Sequence, residues 1–268
     1  MEAAAAMIQQ LHPDVTGLME VSDEQAESIR NDSVFEDYEL IGSPAFTQLH
    51  EQGVYILYDK TKFDLEDWGV KYLSENPDEE HSYIKEAEDE NGSGRLDIAG
   101  GVMHQPRKAV YAVLCNKANG RKLAFVATHL GHTPSGSDKA VSDLIRCKQA
   151  KALVDLILEG GMFDPSEAFV IAGDMNSQPN LAPYQEYRRV SEDARYSADI
   201  QPDGYQGTLH SYKKKIASSL LDYIFVSAGD YHCSEFDVIT KEYPSSLLGM
   251  DILPSDHYAV MADVVLLP

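Results

Sequence analysis

The sequence is poor in basic residues. Its 268 residues include 22 Lys and Arg against 44 Asp and Glu, so the formal net charge is −22. A protein that holds long nucleic acid by its surface needs a basic patch to displace counterions. A protein that docks on anionic membranes also needs positive charge. The composition therefore disfavours both of these modes of binding.

Cysteine and long apolar runs are also scarce. The three cysteines, Cys115, Cys147 and Cys233, are far apart and form no CxxC motif, which disfavours a disulfide scaffold and a structural zinc site. The opening residues, MEAAAAMIQQLHPDV, lack a basic region followed by an apolar run, so they do not resemble a signal peptide. No apolar stretch approaches the roughly 20 residues of a membrane span. These features predict a protein of the cytoplasm or the nucleus.

The composition is that of a folded domain, with 43% hydrophobic and 25% charged residues. Apolar patterns predict strands at 15–21, 54–58, 109–115, 123–130, 169–172, 221–227 and 257–266, and helices at 2–12 and 138–161. The Asn119-Gly120 pair between two of these strands predicts a hairpin. Because no linker or internal repeat interrupts the pattern, we expect a single α/β domain over residues 1–268.

One segment stands out by its charge. Residues 74–90 carry eight carboxylates and one lysine, and the NGSG sequence at 91–94 is typical of a turn. This composition predicts an exposed acidic insertion loop at 74–94, and a solvated loop without a specific role is its simplest interpretation.

Residues with catalytic chemistry stand at the ends of the predicted strands. They are Glu20, His129, Asp174, Asn176, Asp222, Asp256 and His257. Each has a structural explanation when taken alone, such as a turn for an aspartate or a buried core position for a histidine. Taken together, their carboxylate and amide oxygens are the ligands that Mg²⁺ prefers, and the lack of a His-rich or Cys-rich cluster disfavours zinc. The set predicts hard-cation chemistry on a phosphate, with imidazoles that move protons or stabilise charge.

Several segments carry a family resemblance. In chain order HPDVTGLMEV, VATHL, IAGDMNSQP, LDYIFVS and LPSDHYAV resemble the endonuclease/exonuclease/phosphatase superfamily, which includes pancreatic-type deoxyribonuclease. The resemblance extends from about Ala4 to Leu266. GVYILYDKTKF at 53–63 and GDMNSQPNLAPYQEY at 173–187 are most similar to the deadenylase and nocturnin branch. The resemblance implies a four-layer α/β sandwich, in which two mixed β-sheets pack face to face with helices outside.

The resemblance also implies a metal site. Glu20 would be the principal Mg²⁺ ligand, and Asp256 would complete the site. Asp174 would also belong to it, where it orients or deprotonates the attacking water. Mn²⁺ is an alternative ion.

The remaining residues would act on the phosphate. Asn176 would hold the scissile phosphate or polarise the nucleophile, and His129 would contact the phosphate as a second imidazole. His257 would stabilise the pentacovalent phosphate while Asp222 fixes its tautomer. Arg146 is a candidate substrate contact, and an arginine on a helix surface is the alternative interpretation.

The sequence departs from the family pattern in three places. Family members begin with a strand whose Asn serves the metal site, whereas this sequence starts at what resembles the following helix. We therefore expect a domain that is short by about one strand at its N-terminus, with a reduced metal affinity. Met19 stands where the family usually has Gln, and Gly131 where the nocturnin branch usually has Lys.

The predicted activity is Mg²⁺-dependent hydrolysis of a phosphodiester or phosphomonoester, with a nucleotide or an RNA 3′ end as the favoured substrate. One alternative is a lipid or sugar-phosphate phosphodiesterase of the same fold, and another is a catalytically weakened interaction module. The acidic composition favours short phosphorylated substrates, or a basic protein partner that delivers RNA. We expect substrate recognition in the loops at 74–108, 131–140 and 188–219, and the sequence indicates no oligomeric state.

Overall fold

A computed structural model describes residues 2–49, 51–84, 106–133, 139–202, 206–212 and 219–267. Its helices are α1 (Glu2–Leu11), α2 (Asp23–Asn31), α3 (Lys139–Leu158), α4 (Ala182–Tyr187) and α5 (Ala194–Ser197). Its strands are β1 (Val15–Met19), β2 (Tyr38–Ser43), β3 (Val54–Asp59), β4 (Phe63–Tyr72), β5 (Lys108–Asn116), β6 (Lys122–His129), β7 (Phe169–Asp174), β8 (Ser191–Asp193), β9 (Asp222–Ser227), β10 (Tyr231–Ile239), β11 (Tyr243–Ser245), β12 (Met250–Ile252) and β13 (Ala259–Leu266). No helix among these residues is long and apolar enough to cross a membrane.

The larger sheet has six strands in the order β4-β5-β6-β7-β9-β8. β6 and β7 are parallel, and the other neighbours in this sheet are antiparallel. Its central strands are almost entirely apolar because both faces are covered. On one face, α3 contributes Leu153, Val154 and Ile157 to a core with Val126 and Ile171 of the sheet.

The opposite face packs on a second strand layer. This layer consists of a three-stranded sheet in the order β1-β3-β2 and a separate β10-β13 pair, and all its ladders are antiparallel. Ile56 and Phe236 belong to the core between the two layers. α1 and α2 cover the outer face of the three-stranded sheet through residues such as Ile8 and Ile29. The four layers confirm the predicted α/β sandwich, with the second layer divided into two pieces.

A groove of about 860 Å³ lies between those two pieces. β1 forms one wall, β13 forms the other, and side chains of the larger sheet, including Phe125, Val170 and Ile224, form the floor. No backbone hydrogen bond joins β1 to β13 in the described part of the chain. Each wall is therefore a sheet edge with backbone groups that no neighbouring strand satisfies.

Two local predictions fall on surface loops. The hairpin at Asn119-Gly120 is confirmed, since β5 and β6 pair antiparallel and Gly120 has a φ of 71°, which favours glycine. Only residues 74–84 of the predicted acidic insertion lie within the described residues. The acidic side chains at 75–80 are exposed there, whereas Ser82 and Ile84 are buried, so this loop is fastened to the domain at 82–84.

Candidate active site

The topology of the larger sheet brings three of the predicted residues to one end. His129 ends β6, Asp174 ends β7 and Asp222 begins β9. The ladders pair His129 with Asp174 and Asp174 with Asp222. Because β6 and β7 are parallel and β9 is antiparallel to them, two strand ends and one strand start meet at the same end of the sheet. A glycine before the aspartate permits this approach, since a Cβ on Gly173 would lie 1.8 Å from the carbonyl oxygen of Thr128.

Asp174 lies in a network with His129 and Asn176. The backbone N–H of Asn176 donates to Oδ1 of Asp174 at 2.7 Å, and Nδ2 of Asn176 donates to Oδ2 at 3.3 Å. Nε2 of His129 is 3.4 Å from Oδ2 of Asp174 and 3.1 Å from Nδ2 of Asn176. Burial by itself disfavours the charged carboxylate, but the hydrogen bond and charge of His129, with the charge of His257, lower the pKa of Asp174 below its ordinary value.

Asp222 and His257 form a second pair. Nδ1 of His257 lies 2.8 Å from Oδ2 of Asp222. Burial and then the charge of Asp174 raise the pKa of Asp222. Burial opposes the charged imidazolium of His257, but the hydrogen bond and charge of Asp222 outweigh it and raise the pKa of His257 to about 9. The imidazolium therefore stands between carboxylates that stabilise its proton.

A titration tests this pair. In the metal-free protein, Asp222→Asn should lower the pKa of His257 from about 9 toward the ordinary histidine value of about 6.5, because the carboxylate that stabilises the imidazolium is lost. The stability that the pair contributes should be complete below that ordinary value and should disappear as the pH rises through the folded-state pKa. NMR of the imidazole protons follows the protonated and the neutral form of His257 and gives its pKa in the wild type and in Asp222→Asn.

The exposed pair of Asp199 and His232, 3.1 Å apart, provides the control for this titration. Asp199→Asn should leave the pKa of His257 unchanged. Equal pKa values for His257 in the wild type and in Asp222→Asn would show that Asp222 does not hold its proton.

Glu20 and Asp256 lie at the rim of the same site. Glu20 follows β1 with a left-handed backbone, φ 60°, and its side chain is 59% exposed. Its Oε1 is 3.9 Å from Nε2 of His129. Asp256 is half-buried, and its backbone carbonyl accepts hydrogen bonds from the N–H groups of His210 and Ser211. Both residues line the groove, as does Asp174.

The donor set fits a hard divalent cation. Within the described residues, ligand atoms of Asp174, Asp222 and His257 lie within 4.8 Å of one another. This cluster shares only Asp174 with the predicted ligand set of Glu20, Asp174 and Asp256. The negative charge of Asp174 raises the pKa of Asp222, so a cation placed between them would relieve their repulsion. Carboxylate oxygens are also the donors that Mg²⁺ prefers.

Arg146 takes a different position from the other candidates. It lies on α3 and is 2% exposed, so it is not a residue of the helix surface. Its guanidinium donates to the carbonyl oxygen of Gly131 at 2.9 Å and to Oγ1 of Thr133 at 3.0 Å, and it pairs with Asp143. These contacts hold the loop that follows His129, while Nε of the guanidinium has no hydrogen-bond partner among the described residues.

Three residues near the site were not predicted from the sequence. Thr208 is fully buried, and its Oγ1 accepts from the backbone N–H of Asp222 at 3.2 Å. Gln52 donates from Nε2 to Oε1 of Glu20 at 2.6 Å. Arg107 is 3% exposed and donates to Oε1 of Gln52. Burial lowers the pKa of Arg107 to about 10, although the negative charges of Asp174 and Glu20 raise it. Each lies in a segment without a local motif, so no sequence signal marked them.

Solved structures of known proteins align with nearly the whole of this chain. The mannosyl-6-phosphatase of Bacteroides thetaiotaomicron is 22% identical, with a TM-score of 0.75 over 98% of this chain and 89% of that one. The human nocturnin catalytic domain with bound sulfate is 17% identical, with a TM-score of 0.64 over 97% and 83%. TDP2 of D. rerio, complexed with a single-strand DNA product, is 14% identical, with a TM-score of 0.65 over 99% and 93%. At these identities the likeness shows the fold.

The family follows from the sequence itself. The comparison with curated protein sequences gives no significant match. The family model of the Endonuclease/Exonuclease/phosphatase family matches residues 1–257, which confirms the resemblance drawn from the strand-end motifs. The chain belongs to the endonuclease/exonuclease/phosphatase family, whose members are metal-dependent phosphoesterases.

Proposed function

We propose that this protein hydrolyses a phosphodiester or phosphomonoester of a nucleotide or RNA 3′ end by in-line attack of water, with Mg²⁺ as its metal. One observation carries the proposal. A buried carboxylate of low pKa, Asp174, stands beside the ion pair of the half-buried His257 with the buried Asp222, at one end of the larger sheet. A proton acceptor and a fixed positive charge are two of the groups that phosphoryl transfer requires.

Glu20, Asp174 and Asp256 would hold the ion, and Mn²⁺ is the alternative to Mg²⁺. When bound, the ion supplies positive charge that offsets the negative charge of the phosphate. Glu20 suits this role because its carboxylate is exposed at the rim of the groove. Asp222 and His257 lie next to Asp174, so an ion held by Asp174 would be close to the groups that act on the substrate.

Asp174 would take the proton of the attacking water. Its lowered pKa keeps it ionised near neutral pH. The two hydrogen bonds from Asn176 fix the carboxylate, so that the acceptor oxygen has a defined direction. Asn176 would also orient the water or the phosphate through its amide, whose Nδ2 lies 3.1 Å from Nε2 of His129.

His257 would stabilise the negative charge that develops on the phosphate. Its Nδ1–H donates to Asp222, so Nε2 carries the proton that is left to face a phosphoryl oxygen. The raised pKa keeps this proton in place over the neutral range. His129, which is 2% exposed, would provide a second imidazole on the side of Asp174.

The charge of the protein limits the size of the substrate. At a net charge of −22, the surface repels a long polyanion, so we expect short oligonucleotides or small phosphorylated molecules. A basic protein partner would be needed to deliver long RNA. The three cysteines are free, which supports the proposal that the protein works in the cytoplasm or the nucleus.

A sugar phosphate is the second candidate substrate. The structural similarity to a mannosyl-6-phosphatase has a TM-score of 0.75, against 0.64 for nocturnin. A sugar phosphate is also small enough for an acidic protein to bind. A lipid or sugar-phosphate phosphodiester belongs to the same alternative, and it would use the same proton acceptor and imidazolium.

A substrate panel tests the activity. The purified chain with Mg²⁺ or Mn²⁺ is offered oligo(A), dinucleotides, bis(p-nitrophenyl) phosphate, a phospholipid and hexose 6-phosphate, and released nucleotide, nitrophenol or phosphate is measured. Turnover of the first two supports the nucleotide proposal, whereas turnover of only the hexose phosphate or the lipid supports the alternative. If no substrate is turned over with either metal, the weakened interaction module becomes the better interpretation.

We also propose that residues 1–268 form one domain that takes one further strand. The groove between β1 and β13 separates two sheet edges over an apolar floor. About a dozen residues, 2–14, precede β1 and include α1, and this is the length of a crossover between parallel strands. A strand ahead of α1 would therefore complete a βαβ unit with β1 and close the second sheet.

A further inference from the structure

Gln52 joins the rim carboxylate of the site to a buried arginine. Its Nε2 donates to Oε1 of Glu20 at 2.6 Å, and its Oε1 accepts from Nη1 of Arg107. Because a guanidinium only donates and a carboxylate only accepts, the two partners permit a single orientation of the Gln52 amide. Gln52 therefore directs a fixed N–H toward Glu20.

Glu20 needs such support. It stands just after β1 with a left-handed backbone, and 59% of its side chain is exposed. Its distance to Nε2 of His129, 3.9 Å, is too long for a hydrogen bond. An exposed glutamate has several rotamers, and its carboxylate loses freedom when it is fixed in one place.

The other end of this connection is anchored in the core. Lys108 and Glu51, the neighbours of Arg107 and Gln52, form an ion pair in which both side chains are 1% exposed. Glu51 also accepts a hydrogen bond from the hydroxyl of Tyr72 at 3.1 Å. Glu51 and Gln52 are thus fixed to two other consecutive residues, Arg107 just before β5 and Lys108 at its start. Separating such a pair would leave a buried charge without its partner, which is strongly unfavourable, so the two segments stay together.

We propose that Gln52 and Arg107 are positioning residues, which fix the carboxylate of Glu20 for a divalent cation. The inference rests on the proposed function, since it takes Glu20 as a metal ligand. Residues that hydrogen-bond to a metal ligand without touching the metal typically contribute a factor of about 10 to 100 in metal affinity. A preformed direction of the Glu20 carboxylate would provide that factor.

Calorimetric titration of the full chain with Mg²⁺ and with Mn²⁺ tests the proposal. Gln52→Ala should weaken binding by about 10- to 100-fold. Because this substitution also removes a hydrogen-bond partner of the buried Arg107, the melting temperature of each variant is measured and the titrations are run well below it. Gln52→Glu keeps a partner for Arg107 but turns a carboxylate toward Glu20, so it should weaken binding at least as much as Gln52→Ala. Gln48→Ala is the matched control. Gln48 is exposed in the same segment, and it should leave metal binding unchanged.

A double-mutant cycle with Glu20→Gln separates positioning from a general structural effect. If Gln52 acts through Glu20, then Gln52→Ala should have no further effect on metal affinity in the Glu20→Gln background. An equal loss in both backgrounds, or unchanged affinity in Gln52→Ala, would overturn the proposal. Failure of the proposed function has a different signature, since Glu20→Gln itself would then leave metal affinity unchanged.

Discussion

Asp174→Asn is expected to lower kcat by about 10²- to 10⁴-fold, the range that a positioned general base contributes. The substitution keeps the shape of the side chain, and the amide oxygen can still accept from the backbone N–H of residue 176. What it removes is the basic oxygen, because an amide cannot take a proton from water at neutral pH. The assay uses the substrate that the panel identifies, at a metal concentration that saturates each variant.

Asp164→Asn is a matched control for this loss. Oδ1 of Asp164 accepts from the backbone N–H of Ser166 at 2.9 Å, the same two-residue turn that Asp174 forms with Asn176 at 2.7 Å. Asp164 is exposed and lies before β7. Asp164→Asn should therefore show only the effect of replacing an aspartate in such a turn, and kcat should be unchanged. If Asp174→Asn keeps kcat within about threefold of the wild type, Asp174 is not the proton acceptor.

The sequence predicted the buried strands better than the edges. β5, β6, β7 and β9 were expected because both of their faces are covered, so each is a continuous apolar run. β4 was not expected, since it lies at a sheet edge with Asp64, Glu66 and Asp67 exposed. α2 was not expected either, although Ser22 and Gln25 form a capping box whose S-x-x-Q spacing in the sequence is typical of a helix start.

In the candidate site, too, a local pattern predicted some residues and not others. His129, Asp174 and Asp222 were expected because each stands at the end of an apolar strand, where α/β folds collect functional groups. Their contacts depend on the register between strands, which no local pattern encodes. Gln52 and Arg107 reach Glu20 from distant segments through long side chains, so only the three-dimensional structure could assign them.

Filling the groove is expected to have the largest effect on stability. A fusion of about six residues that alternate Val or Ile with Thr, joined by a short loop ahead of Glu2, should pair with β1 and bury its apolar side chains on the floor formed by Phe125 and Val170. Backbone amides of β1 and β13 that do not bond β3 or β10 should then exchange with solvent at least tenfold more slowly. A tenfold change corresponds to about 1.4 kcal/mol.

A fusion that contains proline tests whether the added segment binds as a strand. A fusion of the same length with proline at alternate positions keeps the apolar surface but cannot donate to a ladder, so it should leave exchange in β1 and β13 at the rate of the unfused chain. Equal exchange rates and melting temperatures for the two fusions would show that the groove does not accept a strand. If the Val/Thr fusion alone also tightens Mg²⁺ binding, closing the groove strengthens the metal site, because it fixes Glu20 at the end of β1 relative to Asp256 just before β13.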